Sequence, residues 1–500
     1  MFLATPPVNL WPLGLVALVP VFVMSRNTGF LTTGLCWGLA FWAAILAVTR
    51  WWVPLLEDFG SLDRIYAVAL AILIAVWQAL PYLFAGAATR MLESKVRLSV
   101  LVAAPLCFAM AESWFPFPFK AHFAIIVWRV WPLTQAAEIG GPAAVTGLLV
   151  LINVIIAEAV VRLATRSRSW RGPTVGVIVV LLTIGGAWAR ARFVEDVRHR
   201  SHKTKTGLVQ PNFGPLSPKM RERHGQRVVD CLVGLTRQLD AQGAELVLWP
   251  ESAWPFPIDR SRRGDFPAGH PWRIRNGIKA QVLFGSLTDD HATGDIYNSA
   301  LLLRSDGGLE LPYDKLQLVP FAERFPFEAR MPETAKRIRE RLPDWPKIEQ
   351  GRESRILASG DFRIAPLLCS EELDPQHAAA VASRGCNLLV SLANDAWFSG
   401  PAAAEQHLAL ASFRAIENRR DMLRCTTNGI TAHFDPLGRM LGSLPHLPAK
   451  RDSMNPPDSL LAEAALVNVP TWANRTTPLF PWACLLLVSV LIVCRLRPGH

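Results

Sequence analysis

The sequence predicts a multi-span helical membrane part joined to an extramembrane α/β domain, and three observations carry that prediction. Apolar residue types fill 51% of the 500 positions and charged types only 19%, against ~25% charged in an ordinary water-soluble chain. Long apolar segments gather at the two ends of the chain, and the whole chain carries 18 Trp, an unusually large number. From Thr206 onward short β-type runs alternate with amphipathic stretches, the pattern of sheets covered by helices. Five hundred residues also exceed one compact core, so at least two units are expected.

The apolar segments lie at about Leu10–Met24, Gly29–Thr49, Ile65–Gly86, Leu98–Phe115, Gly141–Leu163, Val175–Ala189 and Leu479–Cys494. A helix needs about 20 residues to cross the hydrocarbon, so the third and fifth are long enough, while the first and sixth are short. Residues 1–190 are therefore expected to hold about six spans, 191–477 an extramembrane domain, and 478–500 a last span. The amino terminus lacks a basic n-region and carries Pro6, Pro7 and Pro12, so it reads as the start of a span and not as a cleaved signal.

Orientation follows from basic residues in short loops. With Arg26, Arg90/Lys95/Arg97, Arg166/Arg168/Arg171 and Arg495/Arg497 cytoplasmic, the opposite loops keep only Arg50, Arg64, Lys120 and Arg129. That puts the extramembrane domain outside the cytoplasm. Arg190, Arg192, Arg198, Arg200, Lys203 and Lys205 conflict with the assignment, because they follow the sixth segment on the far side. Trp51, Trp52, Trp128 and Trp131 suit the interfacial belt. The net charge of +11 is spread between apolar runs, with no nucleic-acid-binding signature beside it, so the expected partner is the lipid bilayer and not nucleic acid. Eight Cys without a C-x-x-C pair indicate neither a zinc site nor a redox motif, and no metal ligand set or cofactor site is visible.

In the α/β domain, Thr206–Gln210, Glu245–Trp249, Gln281–Gly285, Ser299–Leu303, Arg363–Leu368 and Asn387–Ser391 read as buried strands. Residues Arg221–Ala241, Pro375–Arg384 and Ala402–Arg419 read as helices. Three strand ends present chemistry: Leu246 to Trp249 leads through Pro250 to Glu251, Leu311 to Asp314 leads to Lys315, and Ile364 to Leu368 leads to Cys369. A carboxylate can deprotonate a thiol for attack on a carbonyl carbon, and an ammonium can hold the oxyanion that forms. Each residue alone is weak evidence, since a Glu or Lys after a strand is usually solvated and a Cys at a strand end is usually core.

The joint order resembles the carbon–nitrogen hydrolase (nitrilase) superfamily and, within it, its membrane-embedded branch, the apolipoprotein N-acyltransferases. The matching text is Trp249-Pro250-Glu251-Ser252, Tyr313-Asp314-Lys315, Leu318 to Glu323, Cys369-Ser370-Glu371, Asn394 to Phe398, Gln406-His407, Arg414 to Asn418 and Thr427 to Ala432. Asn9 to Leu13 and Ile139-Gly140-Gly141 extend it into the membrane part.

The resemblance implies a nitrilase-like α-β-β-α sandwich, with Glu251 as general base, Lys315 as oxyanion stabiliser and Cys369 as nucleophile. Glu323 and Glu371 would be accessory carboxylates, unless they merely pair with neighbours such as Arg324. Ser370, Asn394, Trp397 and Phe398 would line the substrate pocket, and Gln406 and His407 would cap or support the next helix. A membrane phospholipid would donate an acyl chain to Cys369, and the amino-terminal amine of an apolipoprotein would accept it. The implied location is the bacterial inner membrane, with the catalytic domain periplasmic and a monomer favoured. Three departures bear on substrate handling: Ser370 replaces an aromatic residue, Met220 stands near an expected Trp, and Ala322 replaces Gly. A membrane-tethered amidase or nitrilase-type hydrolase, a paralogue with another acceptor, and a catalytically silent scaffold remain as alternatives.

Overall fold

The structure is a computed structural model that describes every residue except 59–61, 118–119, 121, 215–217, 321, 326–327, 329, 342–346, 399, 449–451 and 497–500, and the side chains of 218–220, 338–339, 341 and 496. Met220, one of the noted departures, thus lies outside the described side chains, and Phe321, in the Leu318 to Glu323 stretch, lies outside the described residues.

Lipid offers backbone amides no partner, so a spanning segment must satisfy them internally. Among the described residues, five helices are long and apolar enough to cross a membrane: Phe30–Val48, Arg64–Val96, Ala137–Ala164, Arg171–Arg200 and Ala473–Arg495. The Val100–Trp114 helix is shorter, and the first apolar segment is a 3-10 turn, Trp11–Leu15, followed by a helix at Val19–Met24. Pro12 and Pro20 sit in the first turns of these two pieces, where a missing N–H costs nothing. Small residues let the helices close: a Cβ on Gly34 would meet Ala87 Cβ at 2.9 Å, and one on Gly38 would meet Leu83 at 3.1 Å. Inside this part Glu112 is buried yet satisfied. Its carboxylate accepts from Tyr82 Oη at 2.8 Å, Phe123 N at 2.8 Å and Thr146 Oγ1 at 2.7 Å, and meets His122 Nδ1 at 3.0 Å.

The Arg171–Arg200 helix continues well past the expected span and carries three of the six conflicting basic residues into ion pairs. Arg190 meets Glu138 at 2.7 Å, Arg192 meets Glu195 at 3.3 Å and Arg198 meets Asp421 at 2.9 Å.

Two sheets form the other part. The first orders its strands as Asp458–Ala465, Lys203–Gln210, Leu246–Trp249, Gln281–Asp290, Asp295–Leu303 and Tyr313–Asp314. The second runs Met440–Leu444, Thr431–Phe434, Met422–Thr426, Leu388–Ala393, Phe362–Leu368 and Leu357–Ser359. Their central strands are parallel, pairing Leu248 with Leu208 and Leu283, and Leu392 with Leu368 and Cys425. Parallel strands are buried on both faces, and alternation sends each residue set to a different core. Leu246, Leu248, Leu283, Ile364 and Leu368 meet between the sheets. Val247, Trp249 and Val282 pack outward on Val228, Val229 and Leu232 of the Pro218–Ala241 helix.

On the second sheet the outward side chains Ala365, Leu367 and Leu389 pack on the Pro375–Ala382 and Pro401–Asn418 helices. The same core continues through Leu408, Ala411 and Ile416 into Trp37, Phe108, Val145 and Leu149 of the membrane part. The layers are thus helix, sheet, sheet, helix, with the spanning helices lying on the last one. All eight cysteines are free.

Candidate active site

Each of the three candidate residues leaves a strand at a point the local sequence forces. Pro250 cannot donate to a ladder and ends the Leu246–Trp249 strand, so Glu251 follows at the sheet edge, buried. The strand beside it must carry glycine at 285, because a Cβ there would stand 2.6 Å from Glu251 Cα and from Pro250 O. Lys315 follows the Tyr313–Asp314 strand, with its N–H on Asn298 O at 2.8 Å and its carbonyl accepting from Gly351 N at 2.8 Å. Cys369 follows Phe362–Leu368 at φ 49°. A left-handed conformation is costly for a residue with a Cβ and persists where the surroundings over-determine it.

The side chains converge. Lys315 Nζ lies 3.0 Å from Glu251 Oε1 and 3.0 Å from Glu323 Oε1, and is itself fully buried. Asn298 Nδ2 donates to the same two oxygens at 2.8 and 3.0 Å. Both carboxylates thus share one cation and one amide. Arg324, the expected alternative partner, meets Glu328 and Glu349 instead.

The charges of Glu251 and Lys315 both act on the half-buried Cys369 thiol, and the Asn394 N–H bonds to it. Burial and the Glu251 charge push the thiol pKa well up, opposed by Lys315 and the Asn394 N–H. Burial and the neighbouring Glu323 also raise Glu251, against the pull of Lys315. Burial alone would lower Lys315, but Glu251, Glu323 and Cys369 outweigh it and hold the ammonium. A resting thiol beside a carboxylate of raised affinity for protons suits proton transfer during attack.

Glu371 is a brace between the loops that carry Lys315 and Cys369. Its Oε1 accepts from Leu316 N at 2.6 Å and Gln317 N at 3.1 Å, directly after Lys315. Its Oε2 accepts from Leu368 N at 2.8 Å, directly before Cys369, and from Tyr313 Oη at 2.9 Å. Ser370 adds a weaker tie, donating from Oγ to Gln317 O at 3.3 Å. Asn394 Oδ1 accepts from Ala396 N at 3.1 Å and shapes the turn beside the thiol. In that turn Trp397 is 44% exposed, and the Phe398 ring stands edge-on to Trp51 with centroids 5.2 Å apart.

Behind this turn lies a quartet that single-residue reading misses. His407 places Nδ1 2.9 Å from Asp395 and Nε2 2.9 Å from Glu372, while Arg424 meets Glu372 at 2.9 Å and Asp395 at 3.0 Å. Two carboxylates against both ring nitrogens favour the imidazolium. Burial opposes it, yet Glu372 and Asp395 win and lift His407 to about 9. His407 and Gln406 therefore do not cap a helix. They lie one turn inside Pro401–Asn418, and Gln406 Nε2 donates to Val48 O at 3.1 Å while its Oε1 accepts from Trp51 Nε1 at 3.2 Å. Paired charges at spacings of 12, 29 and 52 residues leave no local trace in the sequence. Among the described residues no cluster of three His, Cys, Asp or Glu side chains could hold a metal ion.

Comparison with known proteins bears on the family of the chain. Residues 208–449 match the carbon-nitrogen hydrolase family, and residues 1–155 match the apolipoprotein N-acyltransferase N-terminal domain. An apolipoprotein N-acyltransferase of Geobacter metallireducens is 27% identical over 99% of this chain and 93% of its own length. One of Azotobacter vinelandii is 28% identical over 89% of this chain and 85% of its own length. A solved Saccharomyces cerevisiae member of the nitrilase superfamily is 17% identical, covering 56% of this chain and 94% of its own, with a TM-score of 0.37. Both parts of the chain, in the order found here, place it in the apolipoprotein N-acyltransferase branch of the carbon–nitrogen hydrolases.

Proposed function

We propose that the protein transfers a fatty acyl chain from a membrane phospholipid, through a thioester on Cys369, to the amino-terminal amine of an apolipoprotein. The observation that carries the reading is the buried Lys315 ammonium, held 3.0 Å from both Glu251 and Glu323 beside a thiol at a strained strand end.

Glu251 takes the Cys369 proton as Sγ attacks the ester carbonyl. Lys315 holds the oxyanion that develops on the carbonyl oxygen. Collapse breaks the ester C–O bond, and Glu251 returns the proton to the departing alkoxide, so a lysophospholipid leaves and the thioester remains. The acceptor amine then attacks the thioester carbon and gives a proton to Glu251. The C–S bond breaks, the amide forms, and the proton passes back to sulfur. Glu323 and Asn298 hold Lys315 and Glu251 in register, while Glu371 fixes the spacing between the lysine loop and the thiol.

The packing of the catalytic helices on the spanning helices supports lipid substrates. Moving an acyl chain into water costs about 0.8 kcal/mol per methylene, a cost avoided by a site that rests on the bilayer. We place the catalytic domain on the periplasmic face of the inner membrane, where the basic-loop asymmetry puts it. Complementation is the test: the chain should support growth and triacylation in a bacterium depleted of its own lipoprotein N-acyltransferase, and the Cys369→Ala variant should not. Turnover of small amides without lipoprotein acylation would favour the hydrolase instead.

A further inference from the structure

Lys315 follows the most slender part of the first sheet. Tyr313–Asp314 is a two-residue strand at the sheet edge, paired antiparallel to Asp295–Leu303 through Ser299 with Asp314 and Ala300 with Tyr313. Two rungs of ladder fix such a strand poorly, since even an isolated hairpin is marginal in water. Alternation sends its two side chains to opposite faces. Tyr313 points between the sheets, where its Oη donates to Glu371 at 2.9 Å. Asp314 points outward, and the group that holds it there comes from a distant segment.

Arg260 follows the Ile258–Asp259 strand, which lies along Thr288 and Asp289. From there its side chain crosses the outer face of two strands. The guanidinium donates to Thr288 Oγ1 at 3.1 Å, lies 4.2 Å over the Tyr297 ring and ends in a fork on Asp314, with Nη1 on Oδ1 at 2.7 Å and Nη2 on Oδ2 at 2.8 Å. Ser299 Oγ donates to the same Oδ1 at 2.7 Å. A fork of this kind fixes direction as well as distance. The Asp314 side chain is only 14% exposed, and a groove lined by Arg260, Tyr297 and Asp314 brings solvent to this face. Without the guanidinium Oδ2 would lose its donor, and a largely buried charge left without its partner is costly. The carboxylate would turn toward the groove and draw Lys315, the next residue, away from Glu251.

We propose that Arg260 is a positioning residue for Lys315, acting through Asp314 to set where the ammonium stands beside the Cys369 thiol. It pins the lysine strand from the outer face, as Glu371 pins it from the inner face through Tyr313. Because Arg260 works on the face opposite Tyr313, its loss slows the chemistry and leaves lipid binding as it was. The inference rests on the acyl-transfer reading of Cys369.

The test is acylation of the full chain in mixed micelles of a bacterial phospholipid extract, with the Cys369 adduct followed by intact-protein mass spectrometry. In Arg260→Met the rate at saturating lipid should fall ~10-fold, on a scale of ~10² for a misplacement of 1 Å, while the lipid concentration giving half that rate stays within about twofold. Asp314→Ala should fall comparably and the double variant no further, because both changes remove the same contact. Should Arg260→Met fail to fold, Arg260→Lys carries the comparison, since it keeps the charge but not the fork, and it should slow the same step. Wild-type rates in these variants, a change confined to the lipid dependence, or losses that multiply in the double variant would each overturn the proposal. A wild type that forms no adduct defeats the acyl-transfer reading and this inference with it, whereas a wild-type adduct formed equally fast by Arg260→Met defeats the positioning role alone.

Discussion

Replacing Glu371 with Gln tests the brace between the thiol and the ammonium. The carboxylate accepts four hydrogen bonds at 2.6 to 3.1 Å, two on each oxygen, in a fully buried setting. Burial raises its pKa, but His377 and the Leu368 N–H outweigh this and hold it below the ordinary range, so it is ionised near neutrality. A Gln offers one oxygen, and its amide nitrogen must face two former donors. The less costly orientation turns nitrogen toward Leu368 N and Tyr313 Oη, because Tyr313 can redirect its proton to His377 Nε2 at 3.1 Å. The Leu368 N–H is then orphaned, at about 1–3 kcal/mol, and the two bonds on the lysine side fall from charge-assisted to neutral strength. The strand end should shift away from Lys315. A misplacement on the order of 1 Å costs ~10²-fold in rate, so acyl-adduct formation on Cys369, followed by intact-protein mass spectrometry, should slow by about that factor while the melting temperature drops only slightly. Adduct formation at the wild-type rate would refute the brace.

The other predictions concern single contacts. In Gly285→Ala the new Cβ meets backbone atoms of Pro250 and Glu251 at 2.6 Å, so acylation should fall ~10²-fold, whereas Gly234→Ala, with nothing within 4 Å, should leave the acylation rate unchanged. His407 has a folded pKa of about 9 against ~6.5 unfolded, so its stabilisation is complete below ~6.5 and disappears as pH rises through 9. Melting temperature between pH 6 and 10 should fall more steeply for the wild type than for His407→Gln; matching profiles would contradict the imidazolium. Ser370→Tyr should alter acyl transfer to an apolipoprotein, measured with a defined lipopeptide, and an unchanged rate would remove this position from acceptor selection.

The placing of Glu251, Lys315 and Cys369 just after strand ends was legible because each follows an apolar or β-type run, and Pro250 marks one of those ends in the text itself. All six strands expected in the α/β domain form, since continuous apolar runs such as Leu246–Trp249 are what a doubly buried strand requires. Strands Met422–Thr426 and Thr431–Phe434 were not legible: Arg424 and His433 interrupt the apolar pattern, and only their distant partners Glu372, Asp395 and Asp421 make those charges tolerable inside. The Pro401–Asn418 helix reads as amphipathic, yet Arg414, Glu417 and Asn418 on its polar positions are all buried. The membrane part covers the face that water would otherwise occupy, and no local pattern reports that. Asn298 was missed for a related reason, as an ordinary strand residue whose role depends on Glu251 and Glu323 arriving from other loops.

The central claim is covalent: an acyl chain resides on the Cys369 sulfur between two half-reactions. Intact-protein mass spectrometry of the enzyme taken directly from membranes should show a fatty-acyl mass on the peptide containing Cys369. Hydroxylamine should release it, Cys369→Ala should lack it, and Lys315→Ala should form it ~10²- to 10³-fold more slowly. Lipoprotein acylation proceeding with no such adduct, or with an adduct that survives in Cys369→Ala, would contradict the account.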